Sequence, residues 1–412
     1  MQKENNKPII RFKGYTDAWE QRKLIDFVNF FSGLTYSPSD IQEDGILVLR
    51  SSNVNNGEIV KTDNVYVRPD VVTSENVKIG DIVVVVRNGS RSLIGKHAQI
   101  KEAMPNTVVG AFMTGIRAKC PSFTNALLNT LHFDEEVSKN MGATINQITG
   151  YMFSNMEFNI PYLDEQIKIG LFFNSIDTLI TLHQRKYEKL KNIKKSMLEK
   201  MFPKKGSNAP EIRFKGFTDA WEQRKFINVF EFMQNNTLTR AELSNSDGKI
   251  MNVHYGDILV KYGEVLDLKK DKLTYILDAS NVKKYQDSLL HNGDIIIADA
   301  AEDETVGKCS EIAGLTDEII LSGLHTIPCR PKVKYAEGFL GYYMNANAYH
   351  DQLLPLLQGT KVSSISKSAI KDTDIMYPKN EIEQERIGTY FRNIDTLITL
   401  HQREFIIFGR FI

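Results

Sequence analysis

Ile10-Arg11-Phe12-Lys13-Gly14-Tyr15-Thr16-Asp17-Ala18-Trp19-Glu20-Gln21-Arg22-Lys23 returns later in the chain as Ile212-Arg213-Phe214-Lys215-Gly216-Phe217-Thr218-Asp219-Ala220-Trp221-Glu222-Gln223-Arg224-Lys225. One position in fourteen differs, Tyr15 against Phe217. A second block, Ile176-Asp177-Thr178-Leu179-Ile180-Thr181-Leu182-His183-Gln184-Arg185, returns unchanged as Ile394 to Arg403. The stretch between the two blocks is longer in the second half. A solenoid repeats a short unit many times, whereas this chain repeats one large unit twice with a variable interior. The expected molecule is pseudo-twofold: lead-in repeats over 1–24 and 206–226, globular domains over 25–162 and 227–380, and helices over 163–205 and 381–412.

The globular stretches carry apolar runs bounded by turn residues, such as Asp81 to Val86 and Asp294 to Ile297, with helical stretches between them. They read as mixed α and β, an α+β chain. The helix has its own signature. Apolar residues fall at Ile169, Phe173, Ile176, Ile180, His183, Tyr187, Leu190, Lys194, Met197 and Met201, in steps of four and three with two polar interruptions, until Pro203 stops the helix. That is a coiled-coil seam. Ile387, Phe391, Ile394, Ile398 and His401 begin a second copy. One such helix cannot bury its seam alone, so an antiparallel pair of long helices between the two domains is the economical expectation. The first helix also reads as basic on its outer face, with Arg185, Lys186, Lys189, Lys191, Lys194, Lys195, Lys200, Lys204 and Lys205.

Composition narrows the function. No apolar run reaches the roughly 18 residues of a membrane span, and no apolar segment follows the N-terminus as in a signal peptide. Cys120, Cys309 and Cys329 lie far apart without metal-ligand spacing, which fits a reducing cytoplasm and no metal site. Gly89-Ser90-Arg91-Ser92-Leu93-Ile94-Gly95-Lys96 has one residue too many between its glycines for a phosphate loop, and His97 stands where Ser or Thr would hold magnesium. No Asn-Pro-Pro-aromatic motif and no HExxH occurs. Formal net charge is zero, although proteins that hold DNA alone usually carry a basic excess.

The lead-in repeat Arg213 to Arg224, and Ile176 to Arg185 followed by Lys186-Tyr187-Glu188-Lys189-Leu190-Lys191, resemble the specificity subunits of type I restriction-modification systems. Gly80-Asp81-Ile82 through Gly95-Lys96 resembles a strand–loop–strand of their recognition domains, and Gly293-Asp294-Ile295 through Gly307-Lys308 is its counterpart. Gly142 to Ile148 and Gly359 to Ile365 likewise correspond. The resemblance covers the chain to about Arg403. It implies two target-recognition domains that each read half of a bipartite site in double-stranded DNA, held apart by two long helices. It implies as partners two methyltransferase subunits and the restriction and translocase subunits. S-adenosylmethionine, ATP and magnesium then belong to those partners, and this chain binds no cofactor and has no catalytic residue. The second helix copy departs from the pattern after Arg403, reading Glu404 to Ile412 with Gly409, which looks like a truncation or frame change. A truncated silent or decoy subunit and a duplicated protein-binding scaffold are the alternatives.

Base recognition needs Arg, Lys, Asn, Gln, Ser or Thr on exposed loops. In the first domain the candidates are Arg50, Ser52, Asn53, Arg87, Asn88, Ser90, Arg91, Lys96, Thr144, Asn146 and Gln147. In the second they are Lys261, Tyr262, Lys308, Lys361, Ser363, Ser364 and Lys367.

Overall fold

A computed structural model describes residues 7–141, 146–246, 248–278, 285–359 and 361–409. The chain forms two compact units, residues 1–183 with 404–412 and residues 184–403. Each is mixed α/β.

In the first unit a four-stranded antiparallel sheet runs in the order Val28–Ser32, Met113–Ala118, Ile82–Val85, His97–Gln99. Ile82, Val83, Val84 and Val85 are all fully buried, which is why this strand is a continuous apolar run and not an alternating one. A second four-stranded sheet orders Thr107–Val109, Ile46–Leu49, Val65–Val67 and Ile41–Gln42, its first pair parallel. In the second unit Phe230–Phe232, Thr326–Pro331, Ile295–Ala298, Cys309–Ala313 and Val265–Asp267 form a five-stranded sheet, and Leu243–Ser244, Thr274–Ile276, Ile250–Val253 and Ile319–Ser322 a four-stranded one.

The lead-in repeat has a structural job in both units. Glu20–Lys23 pairs antiparallel with Glu157–Ile160, and Glu222–Lys225 pairs with Asp374–Tyr377. In each case the partner is the strand that leads into the long helix. Upstream, Arg11 makes two hydrogen bonds of 2.7 Å to Glu165, and Arg213 bonds Glu383 at 2.6 and 2.9 Å. Both carboxylates are buried in the first turn of a long helix, where the helix dipole also favours a negative charge.

The first long helix runs Leu163–Lys200 and the second Glu381–Gly409. At about 1.5 Å per residue the first is roughly 57 Å long. It is not a domain of its own: up to His183 it packs with the first unit and from Gln184 with the second. Ile176, Ile387, Phe391 and Ile394 are buried, and Ile169, Phe173, Ile180, His183, Tyr187, Leu190, Ile398 and His401 are half-buried, so the seam faces inward along its length. Within the second unit the two helices run antiparallel. Lys194 meets Asp395 at 2.7 Å, while Phe202, just past the helix end, stacks on Phe391. Lys194 was expected on the outer basic face as well as in the seam. The structure places it in the seam, largely buried, where it bridges Asp395 and Glu264. Two carboxylates offset the cost of burying its charge.

Candidate nucleic-acid interface

The shared frame of the two units is built by the Gly-Asp-Ile segments. Gly80 and Gly293 adopt positive φ (94° and 88°), which only glycine takes without strain. The following aspartates are buried and held at both oxygens: Arg117 donates to Asp81 at 2.8 and 2.8 Å, and Arg330 to Asp294 at 2.9 and 2.7 Å. These bidentate pairs fix the central strands, so the segment's aspartate is structural.

Beyond that strand the backbone repeats bond for bond. In the first unit Val86 N–H donates to Phe112 O (3.0 Å), Ile148 N–H donates to Val86 O (2.8 Å), and Arg87 bridges Gln147. In the second unit Asp299 N–H donates to His325 O (3.1 Å), Ile365 N–H donates to Asp299 O (2.9 Å), and Ala300 pairs with Ser364. Phe112 and His325 therefore occupy equivalent positions, as do Arg87 and Ala300. The chemistry placed there is unlike. In the first unit the exposed Arg87 guanidinium lies 5.0 Å over the ring of Phe112, itself 54% exposed. In the second, His325 Nδ1 lies 3.4 Å from Asp299 Oδ1, with the His side chain 52% exposed, and Tyr255 packs edge-on at 5.2 Å. His325 holds a left-handed φ of 55°, a conformation that costs a non-glycine residue energy and tends to persist where function needs it. Burial pushes the Asp299 carboxyl above the usual range, while His325 and Lys367 pull it down. The first unit thus offers a fork of donors beside an aromatic face. The second offers an acceptor and an imidazole.

The first-unit candidates converge on this place from three separate stretches. Asn88 N–H donates to Asn146 O (3.2 Å), Asn146 Nδ2 to Gly89 O (2.9 Å), and Asn88 Nδ2 to Ser51 Oγ (3.0 Å). Ser90 and Ser92 share a hydrogen bond, and Ser52 and Arg91 are exposed. Arg50 is tied to Asp63 at 2.6 Å, and Lys96 is half-buried. Thr144 lies outside the described residues. In the second unit Ser364 and Lys361 are exposed and Ser363 is half-buried.

Several expectations are corrected. Asn53 is fully buried. Its amide donates to Val60 O, Thr62 O and Asn64 Oδ1, and its oxygen accepts from Arg50 N–H, so it closes a loop and presents nothing outward. Tyr262 is 2% exposed and donates to Lys272 O, the carbonyl on which Lys261 also closes. Lys308 donates to Leu259 O (2.9 Å) and Lys367 to Met233 O (2.7 Å). These ammoniums satisfy backbone carbonyls, which leaves them little reach toward a duplex. Phe112, Tyr255, Asp299 and His325 were not anticipated. A position-by-position comparison of the two halves at matched distances after Gly80 and Gly293 would have singled out Phe112 and His325.

The family model for the type I restriction modification DNA specificity domain matches residues 16–192 and 218–406. The StySPI specificity subunit of Salmonella potsdam is 27% identical over 40% of this chain, an alignment that spans 36% of that relative's length. The MjaVIII specificity subunit of Methanocaldococcus jannaschii is 23% identical over 98% of this chain and 92% of its own. A crystal structure of a type I restriction-modification S subunit from M. genitalium has the same fold, with a TM-score of 0.55 at 13% identity over 98% of this chain and 96% of that one. The two matched segments coincide with the two copies of the lead-in, strand frame and long helix, and the chain belongs to the type I restriction-modification DNA specificity family.

Proposed function

We propose that this chain is the DNA-reading subunit of a type I restriction-modification complex, each unit reading one half of a bipartite site. The observation that carries the reading is the repeated frame with unlike side chains. One backbone presents Arg87 and Phe112 in one unit and Asp299, His325 and Tyr255 in the other. A binding module that reads two different half-sites needs such a pair, and a pure scaffold does not. Arg favours guanine N7 and O6 in the major groove, whereas a carboxylate accepts from an exocyclic amino group.

Two methyltransferase subunits are the proposed partners on the helices. Leu179 and Leu182 are exposed in the first copy, and Leu397 and Leu400 in the second. Identical outward apolar residues suit two equivalent docking events, because core packing makes no demand on them. Restriction and translocase subunits would join that assembly, with S-adenosylmethionine, ATP and magnesium on the partners. Among the described residues no helix is long and apolar enough to cross a membrane, and the proposed place of work is the cytoplasm. Coexpression with the cognate methyltransferase tests the reading. A two-part methylated motif is expected, and its absence from an assembled complex would refute it.

A further inference from the structure

Arg87 and Phe112 are held as a pair by the backbone beneath them. The chain turns at Gly110-Ala111-Phe112-Met113, where Met113 N–H donates to Gly110 O at 2.9 Å and Gly110 N–H donates to Leu49 O at 2.8 Å. The Phe112 carbonyl accepts twice from the facing segment, from Val86 N–H at 3.0 Å and from Arg87 N–H at 3.2 Å. That segment is fixed on its other side by Ile148 N–H on Val86 O and by the bridge between Arg87 and Gln147. Both backbones are therefore set, and the side chains meet as a consequence: the guanidinium carbon lies 5.0 Å from the ring centroid. Neither side chain is spent inward. Arg50 and Arg117 close on Asp63 and Asp81, but among the described residues the Arg87 guanidinium makes no hydrogen bond or ion pair. More than half of Phe112 is open to water.

A free guanidinium resting on a flat ring is a planar fork of donors. In a duplex, the base that offers two acceptors to such a fork is guanine, through N7 and O6 in the major groove. Two parallel hydrogen bonds hold the guanidinium coplanar with that guanine. Base pairs stack about 3.4 Å apart. A ring centred 5.0 Å above the guanidinium carbon therefore stands at the level of the neighbouring base pair. What the major-groove edge of a base pair offers an apolar side chain is the C5 methyl of thymine. Insertion of the ring between base pairs is the wrong mode. Such wedges enter from the minor groove, and insertion would displace the Arg87 cation from the ring face. The second unit builds no such pair on the same frame. Ala300, in the place of Arg87, is buried, and His325, in the place of Phe112, faces Asp299.

We propose that Phe112 is a reader of the thymine methyl group. The half-site of the first unit then contains a guanine whose neighbouring base pair is thymine–adenine. Arg87 donates to the guanine N7 and O6, and the Phe112 ring packs against the thymine C5 methyl. This inference rests on the DNA-reading role and names part of the sequence read. Phe112 offers no hydrogen bond from its side chain, so it separates pyrimidines by the methyl alone. A methyl carried at C5 of cytosine occupies the same place in the groove, so the first unit takes 5-methylcytosine there in preference to cytosine.

The test uses the full chain assembled with its methyltransferase. The motif is read from methylated DNA, and the first unit's half-site is the one that Arg87→Ala relaxes. Duplexes of that motif with deoxyuridine in place of single thymines are then compared by competition binding. Deoxyuridine beside the Arg87-dependent guanine should weaken binding about fourfold, the burial of one methyl group. Phe112→Ala should bind the thymine and deoxyuridine duplexes equally. Phe112→Leu, which keeps an apolar contact, should keep most of the preference. Cytosine at that position should gain about fourfold on 5-methylation with the wild type, and nothing with Phe112→Ala. Selectivity at the second half-site should be the same in all three proteins, which shows that the variants are folded. A complex with no sequence preference would refute the DNA-reading role itself. A selective complex overturns this inference alone in any of four cases: Arg87→Ala relaxes neither half-site, no thymine lies beside the guanine, the wild type ignores the methyl, or Phe112→Ala keeps the methyl preference.

Discussion

Arg11 closes on Glu165 through two hydrogen bonds of 2.7 Å, across more than a hundred and fifty residues of chain. The pair ties the lead-in repeat to the first turn of the long helix, and Arg213 with Glu383 does the same in the second copy. Both carboxylates are buried, so removing either arginine leaves a charged acceptor unsatisfied. Arg11→Ala should destabilise the first unit by about 1.5–3 kcal/mol, the range for hydrogen bonds to a charged group. Arg213→Ala should act likewise on the second. Denaturant unfolding of each variant checks this, and Arg11→Ala with an unchanged midpoint would show that the lead-in is not anchored by the pair.

At the interface, Arg87→Ala should relax base preference at one position of one half-site and leave the other half-site intact. The discrimination at stake is about 1–3 kcal/mol for a good bidentate contact. His325→Ala should act on the opposite half-site. Competition binding of the assembled complex to duplex libraries measures both. A wild-type complex with no preference would sink the DNA-reading account itself. A selective wild type that the two variants do not alter would instead remove Arg87 and His325 from the reading surface.

Zero net charge carries its own expectation. Affinity of the isolated chain for duplex DNA should be weak, with a shallow salt slope, since few counterions are released. Adding the methyltransferase should tighten binding and steepen the slope. A salt-sensitive nanomolar complex formed by the chain alone would contradict this.

Glu311 gives a pH dependence. It is buried in the second unit, where burial pushes its carboxyl up to about 7 although the Gly338 and Gly341 N–H groups, at 2.7 and 2.9 Å, favour the charged form. The native carboxyl therefore keeps its proton to higher pH than the unfolded one. Its contribution is full below the ordinary value of 4.5 and is lost as pH rises through 7. The slope within that window is at most about 1.4 kcal/mol per pH unit. Melting temperatures should thus show the wild type losing ground to Glu311→Gln between about pH 5 and pH 8. Parallel curves would mean that Glu311 does not titrate there.

The duplication was legible because its ends are nearly identical, and the seam because apolar steps of four and three survive any surface variation. The strand Ile82–Val85 was legible from its unbroken apolar run. Other features depend on contacts between distant residues, which composition does not encode. Lys194 looks like one more surface lysine until Glu264 and Asp395 are seen on either side of it. Asn53 and Tyr262 look like loop readers until the loops fold over them. Phe112 and His325 gave no signal singly, since a lone aromatic residue in a loop is unremarked. Their meaning comes from standing on the same hydrogen-bonded frame in the two units.

Methylome sequencing after domain exchange tests the central claim most directly. Residues 25–162 would be replaced by the matching segment of another family member, and the chain coexpressed with its methyltransferase. The account predicts a two-part motif in which one half changes to that of the donor and the other half is preserved. If both halves changed together, or neither did, the two units would not be independent readers and the account would fail.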